Sequence, residues 1–232
     1  MSNSINGSTA HEPRIARVAA VMADAARSRM LAYLLSGEYA SAGELARVAS
    51  VTPATASGHL AKLIDNGLLS CEARGRHRYY RLASAEVAHA LEALALVAER
   101  GAHAHEWERP ERKRLRYARC CYGHLAGVLG VMFYERLHAL EGLRPVARGF
   151  ELTTAGTTWL ADMGMAPIEA GGPRRFAYAC LDWSERRDHL AGQLADAILS
   201  HCLAQNWLRR QADRAVELTP AGARHLLPLL QA

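Results

Sequence analysis

The spacing of apolar residues changes at Gly67, and that change constrains the fold more than any other feature of the chain. Before it, apolar positions recur every three or four residues, as helices require: Ile15, Val18, Val21 and Met22, then Met30, Leu31, Leu34 and Leu35, then Leu60, Leu63 and Ile64. After it come two short strand-like runs, Leu68 to Glu72 and His77 to Leu82, joined by the tight basic turn Ala73-Arg74-Gly75-Arg76. The punctuation agrees. Gly37 is a stop, Ser41 is a cap with Glu44 at capping-box spacing, Thr52-Pro53 opens a helix and Asn66-Gly67 closes it. A long helix follows from Ser84, with Val87, Leu91, Leu94 and Val97 on one stripe.

Helix, helix, helix, turn, helix, hairpin is the order of a winged helix-turn-helix. Within it, Met22-Ala23-Asp24-Ala25-Ala26-Arg27, Met30-Leu31, Leu34-Leu35, Glu44-Leu45-Ala46, Thr52 through Leu63, Asn66-Gly67-Leu68-Leu69 and Arg76 through Leu82 together resemble the ArsR-type bacterial repressors. The resemblance covers about residues 14–100. It implies a cytoplasmic homodimeric repressor of transcription that binds a double-stranded DNA operator and is released by a signal. The Val87–Val97 stripe is the expected dimer seam.

The residues point the same way. The helix from Thr52 turns Ala54, Thr55, Ser57, Gly58, His59 and Lys62 away from its leucine face, and short side chains let a helix sit deep in a major groove. The hairpin concentrates Arg74, Arg76 and Arg78, of one sign, for phosphates. The DNA-binding candidates are therefore Thr55, Ser57, His59, Lys62, Arg74, Arg76 and Arg78. Of two metal sites known in ArsR-type relatives, the one on the third helix is missing, since Gly43 to Ser50 holds no cysteine. For the one on the last helix the chain offers Glu86, His89, His103, His105 and Glu106 at the wrong spacing, which favours solvated histidines over a metal.

The back half is duplicated, which the family resemblance does not explain. His124-Leu125-Ala126-Gly127 recurs as His189-Leu190-Ala191-Gly192. Glu151-Leu152-Thr153 with Ala155-Gly156 recurs as Glu217-Leu218-Thr219 with Ala221-Gly222. Each copy reads as an amphipathic helix, a short strand ending in Leu-Thr, and a Thr-initiated helix. The expected architecture is mainly α with short β-hairpins. It comprises a disordered tail (1–12), a winged helix-turn-helix domain (13–100) and a charged connecting helix broken or kinked at Pro110 (101–118). A pseudo-symmetric duplicated α+β domain follows (repeat 1, 119–168; repeat 2, 176–232).

Cys120 and Cys121 precede His124 of the first copy, and Cys180 precedes His189 of the second. Vicinal cysteines sit about 3.8 Å apart at Cα, too close for an unstrained disulfide, so reduced thiols are expected. If the copies form a cleft, Cys120, Cys121, His124, Cys180 and His189 are candidate effector-sensing residues, with a soft metal or metalloid ion as the candidate cofactor. The plainer alternative is that the cysteines are small buried hydrophobes and the histidines pack helices. A pocket lined by Trp159, Trp183 and Trp207 would instead favour a small organic effector. The helix from Glu106 to Arg119 is the expected lever between this cleft and the seam, and Asp182, Glu185 and Asp188 read as a solvated helix start.

Of 232 residues, 50% are hydrophobic and 22% charged, enough for a packed core, and the net charge is +5. The excess is placed in the front half: residues 1–100 carry +2, residues 101–122 carry +3 and the rest are neutral. No apolar run reaches the ~18 residues of a membrane span, and the polar start has no signal-peptide core, so no membrane partner is expected. Two other classes compete with a DNA-binding regulator, a winged-helix protein-interaction module and a thiol-dependent enzyme. The single-sign wing argues against the first. The lack of Gly-x-Ser-x-Gly, a phosphate loop with Lys, His-Glu-x-x-His and Cys-x-x-Cys argues against the second.

Overall fold

A computed structural model of the chain describes residues 15–75, 77–99, 109–169, 171, 174–211 and 213–231. The expected tail, and with it Arg76, His103, His105 and Glu106, lies outside the described residues.

The front half opens with α1 (Ile15–Met22) and α2 (Ala25–Leu34), followed by β1 (Ala40–Ser41), α3 (Ala42–Ala49) and α4 (Pro53–Asp65). It ends with β2 (Leu69–Arg74), β3 (His77–Leu82) and α5 (Ala85–Ala98). Its boundaries are set locally. The Asp24 carboxylate accepts from the amides of Ala26 and Arg27 to start α2. Ser41 and Glu44 form a reciprocal box: Ser41 Oγ accepts from the Glu44 amide at 3.3 Å and Glu44 Oε2 accepts from the Ser41 amide at 2.7 Å. Thr52 caps α4, and Gly67 at φ +70° closes it, the Leu68 amide returning to the Leu63 carbonyl. Met30, Leu31, Leu34, Leu45, Leu60, Leu63 and Leu82 are fully buried in one core, and the sheet order is β1-β3-β2.

The back half begins with α6 (Pro110–Tyr117), then runs β4 (Arg119–Cys121), β5 (His124–Ala126), α7 (Val128–Ala139), β6 (Leu143–Val146), β7 (Gly149–Leu152) and α8 (Thr154–Asp162). The same order returns in β8 (Tyr178–Leu181), β9 (Asp188–Ala191), α9 (Gln193–Ala204), β10 (Leu208–Arg210), β11 (Val216–Leu218) and α10 (Pro220–Gln231). All four hairpins are antiparallel and two-stranded. Pro110 opens α6 at its first turn, where its missing N–H costs nothing.

The sequence motifs that recur in the back half carry similar backbone chemistry at both places. The two His-Leu-Ala runs are strands rather than the start of a helix. Gly127 and Gly192, at φ +81° and +99°, turn each strand into α7 or α9, in a conformation that L side chains rarely adopt. Thr153 and Thr219 cap α8 and α10 by accepting from the amides of Gly156 and Gly222. At those two glycines a Cβ would lie 2.3 Å from the Gly142 carbonyl and 2.1 Å from the Trp207 carbonyl. A single core, including Leu129, Phe133, Trp159, Leu194, Leu199 and Leu226, runs through both copies.

Front and back are joined by more than the 99–109 connection. The Tyr122 amide donates to the Leu35 carbonyl at 2.7 Å, Arg210 pairs with Glu38 at 2.9 Å, and the Tyr178 hydroxyl meets His89 Nε2 at 3.0 Å.

Candidate functional site

Two regions carry the residues singled out by sequence. On α4, Thr55, Ser57 and Lys62 are exposed, with Ala56, Leu60 and Leu63 inward. His59 differs: its Nδ1 lies 3.2 Å from Arg27 Nη1 and 3.7 Å from Asp24, so it braces α4 on α2 instead of facing outward. The pairing of β2 with β3 sets Arg74 opposite His77 and Ala73 opposite Arg78, so Arg74 and Arg78 project to opposite faces of the wing. Arg78 lines a groove with Ser57, Ser41 and His77, between α4 and the hairpin. Arg74 is held by Glu72 at 3.1 Å and lies over the Tyr39 ring at 4.5 Å.

The second region is where the two copies meet. In the β4–β5 hairpin Cys121 is directly across from His124, and in the β8–β9 hairpin Cys180 is directly across from His189, so each hairpin presents one thiol and one imidazole on one face. The faces meet: one donor atom from each of the four residues lies within 4.8 Å of the others, all four side chains are buried, and His124 Nε2 is 3.1 Å from His189 Nε2. Cys120 is not part of this group. Its thiol turns into the core, where Arg210 Nη1 lies 2.9 Å away, and burial pushes it up to about 11.

Asp182 supports the cluster from behind. Its Oδ2 lies 3.2 Å from His189 Nδ1 and accepts from the Gly127 amide at 2.7 Å; its Oδ1 accepts from the Ser184 hydroxyl and from the Ser184 and Glu185 amides. Arg119, also fully buried, lies 3.0 Å from Asp182 and 3.5 Å from Glu92 of α5, and Arg214 reaches Glu92 at 2.5 Å. Burial works against the ionised forms, but these partners outweigh it. The His189 contact and the Arg119 charge hold Asp182 well below the usual carboxylate range, Arg214 and Arg119 lower Glu92, and Glu92 and Asp182 raise Arg119. Burial likewise opposes a charged His189, yet Asp182 and Cys121 raise it to about 9. The hydrogen bond with Cys180, together with burial, pushes the Cys121 thiol up to about 12.

Three expectations are corrected here. Asp182 is not part of a solvated helix start: the Arg119 guanidinium and four donors make its burial tolerable. The three tryptophans do not share a pocket, since Trp159 packs on Phe133 in the core, Trp183 lies under the Arg119 guanidinium and Trp207 stacks on His225. The charged helix does not reach Arg119, which lies on β4 and meets Glu92 of α5 directly. Sequence reading missed Arg119, Glu92 and Arg214. A single acid within the apolar run of residues 90–98 was the available signal for Glu92.

An exposed α4 beside an arginine-bearing hairpin defines a winged helix-turn-helix DNA-binding protein. The helix-turn-helix domain family matches residues 22–72. The HTH-type transcriptional regulator YdfF of Bacillus subtilis (strain 168) is 40% identical over 212 residues, 90% of this chain and 94% of that protein. The chain belongs to the helix-turn-helix transcriptional regulators, as a DNA-binding member. Among solved structures, the cadmium metal-sensor CMTR from Mycobacterium tuberculosis is 35% identical at TM-score 0.32, covering 36% of this chain and 85% of that one. The homodimeric DNA-binding domain Mb0332 from Mycobacterium bovis is 25% identical at TM-score 0.39, covering 44% and 94%. Among the described residues, no helix is long and apolar enough to cross a membrane.

Proposed function

We propose that the chain is a homodimeric repressor that sets α4 of each subunit in successive major grooves of an operator, and that a signal received in the back half releases it. Ser57 and Thr55 read base edges or neighbouring phosphates. Lys62, Arg78 and Arg76, which lies outside the described residues, meet phosphates, with Arg74 at the rim. Val87 and Leu91 pack within the front core, so the seam is narrower than the four-residue stripe. It is left to Leu94 and Val97, 48% and 59% exposed, with the exposed Ile15 on α1.

The observation that carries the signal route is Glu92. It sits on the same helix as the seam, is buried, and is held by Arg119 and Arg214 of the back half. A change that moves Arg119 therefore changes what α5 is anchored to. Such a signal works only if it binds the released arrangement more tightly than the DNA-bound one.

The test is binding of the full chain to the DNA upstream of its own gene across a salt series. Each phosphate contact contributes roughly 0.9 to the slope of log K against log salt. Lys62→Ala is expected to weaken all sequences and flatten the slope by about that amount, while Ser57→Ala shifts sequence preference at unchanged slope. Identical slopes for the wild type and Lys62→Ala would remove the exposed face of α4 from the interface.

A further inference from the structure

We infer that Cys121, His124, Cys180 and His189 bind one divalent ion of the zinc class in a closed tetrahedral site, each copy of the back half giving one thiolate and one imidazole. As the receptor of the releasing signal, the site rests on the reading above; as a metal site it stands alone.

The donor set comes first. Two thiolates and two imidazoles, with no carboxylate among them, are the soft-to-borderline ligands that prefer zinc-class ions to magnesium or calcium. The spacing fits. With metal–N near 2.1 Å and metal–S near 2.3 Å, the edges of a tetrahedron are roughly 3.4–3.8 Å. The Nε2 atoms are already 3.1 Å apart, and all four donors lie within 4.8 Å of one another. An adjustment of about an ångström completes the coordination.

Asp182 is an independent observation. A histidine that ligates through Nε2 usually has its Nδ1 held by a carboxylate or carbonyl, which fixes the tautomer and aims the ligand lone pair. His189 Nδ1 lies 3.2 Å from the Asp182 carboxylate, at ion-pair distance without hydrogen-bond geometry, and that carboxylate is itself immobilised by the amides of Gly127, Ser184 and Glu185.

An oxidant-sensing thiol pair fits less well. Accessible thiolates are the reactive ones, whereas Cys121 and Cys180 are both buried. Four buried protein donors also leave no open position for a reacting water, so the site binds rather than catalyses. Cys180 borders a cavity of about 260 Å³ between α5 and β8, beside His89, Glu92 and Leu96.

The experiment uses the full chain, stripped of metal under reducing, anaerobic conditions and titrated with Co²⁺. The expected result is one ion per chain, with intense tetrahedral ligand-field bands and thiolate-to-cobalt charge-transfer bands, both bleached by one equivalent of Zn²⁺. Cys120→Ser is expected to keep these bands and Cys180→Ser to lose the charge-transfer band of one thiolate. Asp182→Asn is expected to retain tetrahedral binding at about 10- to 100-fold lower affinity. A wild-type chain that gives only weak octahedral bands, or a charge-transfer band that survives intact in a folded Cys180→Ser chain, overturns the proposal. The wild-type spectrum alone can overturn it, so the test does not depend on whether the variants fold. Operator binding is then measured with and without Zn²⁺. If Zn²⁺ binds tetrahedrally but operator affinity stays constant, the metal site stands and the signal route through the back half falls.

Discussion

Arg119→Met removes the charge at the centre of the buried network while keeping a long apolar side chain. The arginine lies 3.0 Å from Asp182 and 3.5 Å from Glu92, donates to Ser184 Oγ at 3.0 Å, and is completely buried. Breaking a buried pair from one side costs about 3–5 kcal/mol, because the surviving charge stays desolvated. Here each carboxylate keeps other partners: Asp182 retains its amide and hydroxyl donors, and Glu92 retains Arg214 at 2.5 Å. The expected loss is therefore near the lower limit, about 3 kcal/mol. The assay is urea unfolding of the full chain at neutral pH, extended to a cycle with Glu92→Gln. Directly interacting groups typically show coupling of about 0.5–3 kcal/mol. A loss under about 1 kcal/mol, or a cycle that closes to zero, would show that the network contributes no anchoring between α5 and the back half.

Other substitutions probe separate steps. Leu94→Glu with Val97→Glu places charge on the proposed seam without touching the front core, and light scattering is expected to move from dimer to monomer; an unchanged mass rejects the seam. Gly127→Ala forces an L residue to φ +81° with its Cβ 2.4 Å from the Arg116 carbonyl, and is expected to cost at least about 1–3 kcal/mol in the same urea assay. Glu44→Ala breaks the capping box and is expected to cost about 1 kcal/mol. The Ser41 amide and hydroxyl lower Glu44 from its ordinary 4.5, so its contribution is present above that pH and is lost as pH falls through the lowered value. The stability difference between wild type and Glu44→Ala is expected to shrink below pH 4 and would argue against the box if it did not.

The front half is legible in the sequence because its signals are local. A cap, a stop or a change of period needs only neighbouring residues: Ser41 with Glu44, Thr52-Pro53 and Asn66-Gly67 each declare an end without help from elsewhere. Strands of three or four residues buried on both sides have no period to detect, so His124–Ala126 and Asp188–Ala191 look like helix starts in the sequence. Their positive-φ glycines are visible as a repeated Gly but carry no direction. Tyr122 and Gly123, both at positive φ, make the two-residue turn that puts Cys121 across from His124. Asp182 is illegible for a different reason: an acid flanked by Glu and Arg is normally solvated. What buries it is Arg119, far away in sequence and carrying no motif. The helical position of His59 suggests a DNA contact, and it cannot reveal that Arg27 and Asp24 occupy the space beside it.

Two Cys–His hairpins packed face to face make the four-donor cluster, and their different turns make it lopsided. Neither copy completes its own hairpin edges. The Phe150 amide of the first copy donates to Ala177 at the start of the second, while the Val216 amide of the second donates to Ala118 at the start of the first. This reciprocal exchange brings β5 against β9, so one Cys–His pair per copy becomes a set of four. The two hairpins differ in their turns, however. Cys121 and His124 are joined by Tyr122-Gly123 alone, whereas Cys180 and His189 are separated by a longer loop that carries Asp182, Trp183 and Ser184. His189 thus lies beside a carboxylate of that loop, Asp182, which also meets Arg119, two residues before Cys121 on β4, and Arg119 in turn meets Glu92 on α5. The two Cys–His hairpins assemble the donors; the loop between β8 and β9, together with Arg119 of β4, ties them to Glu92 of the DNA-binding half.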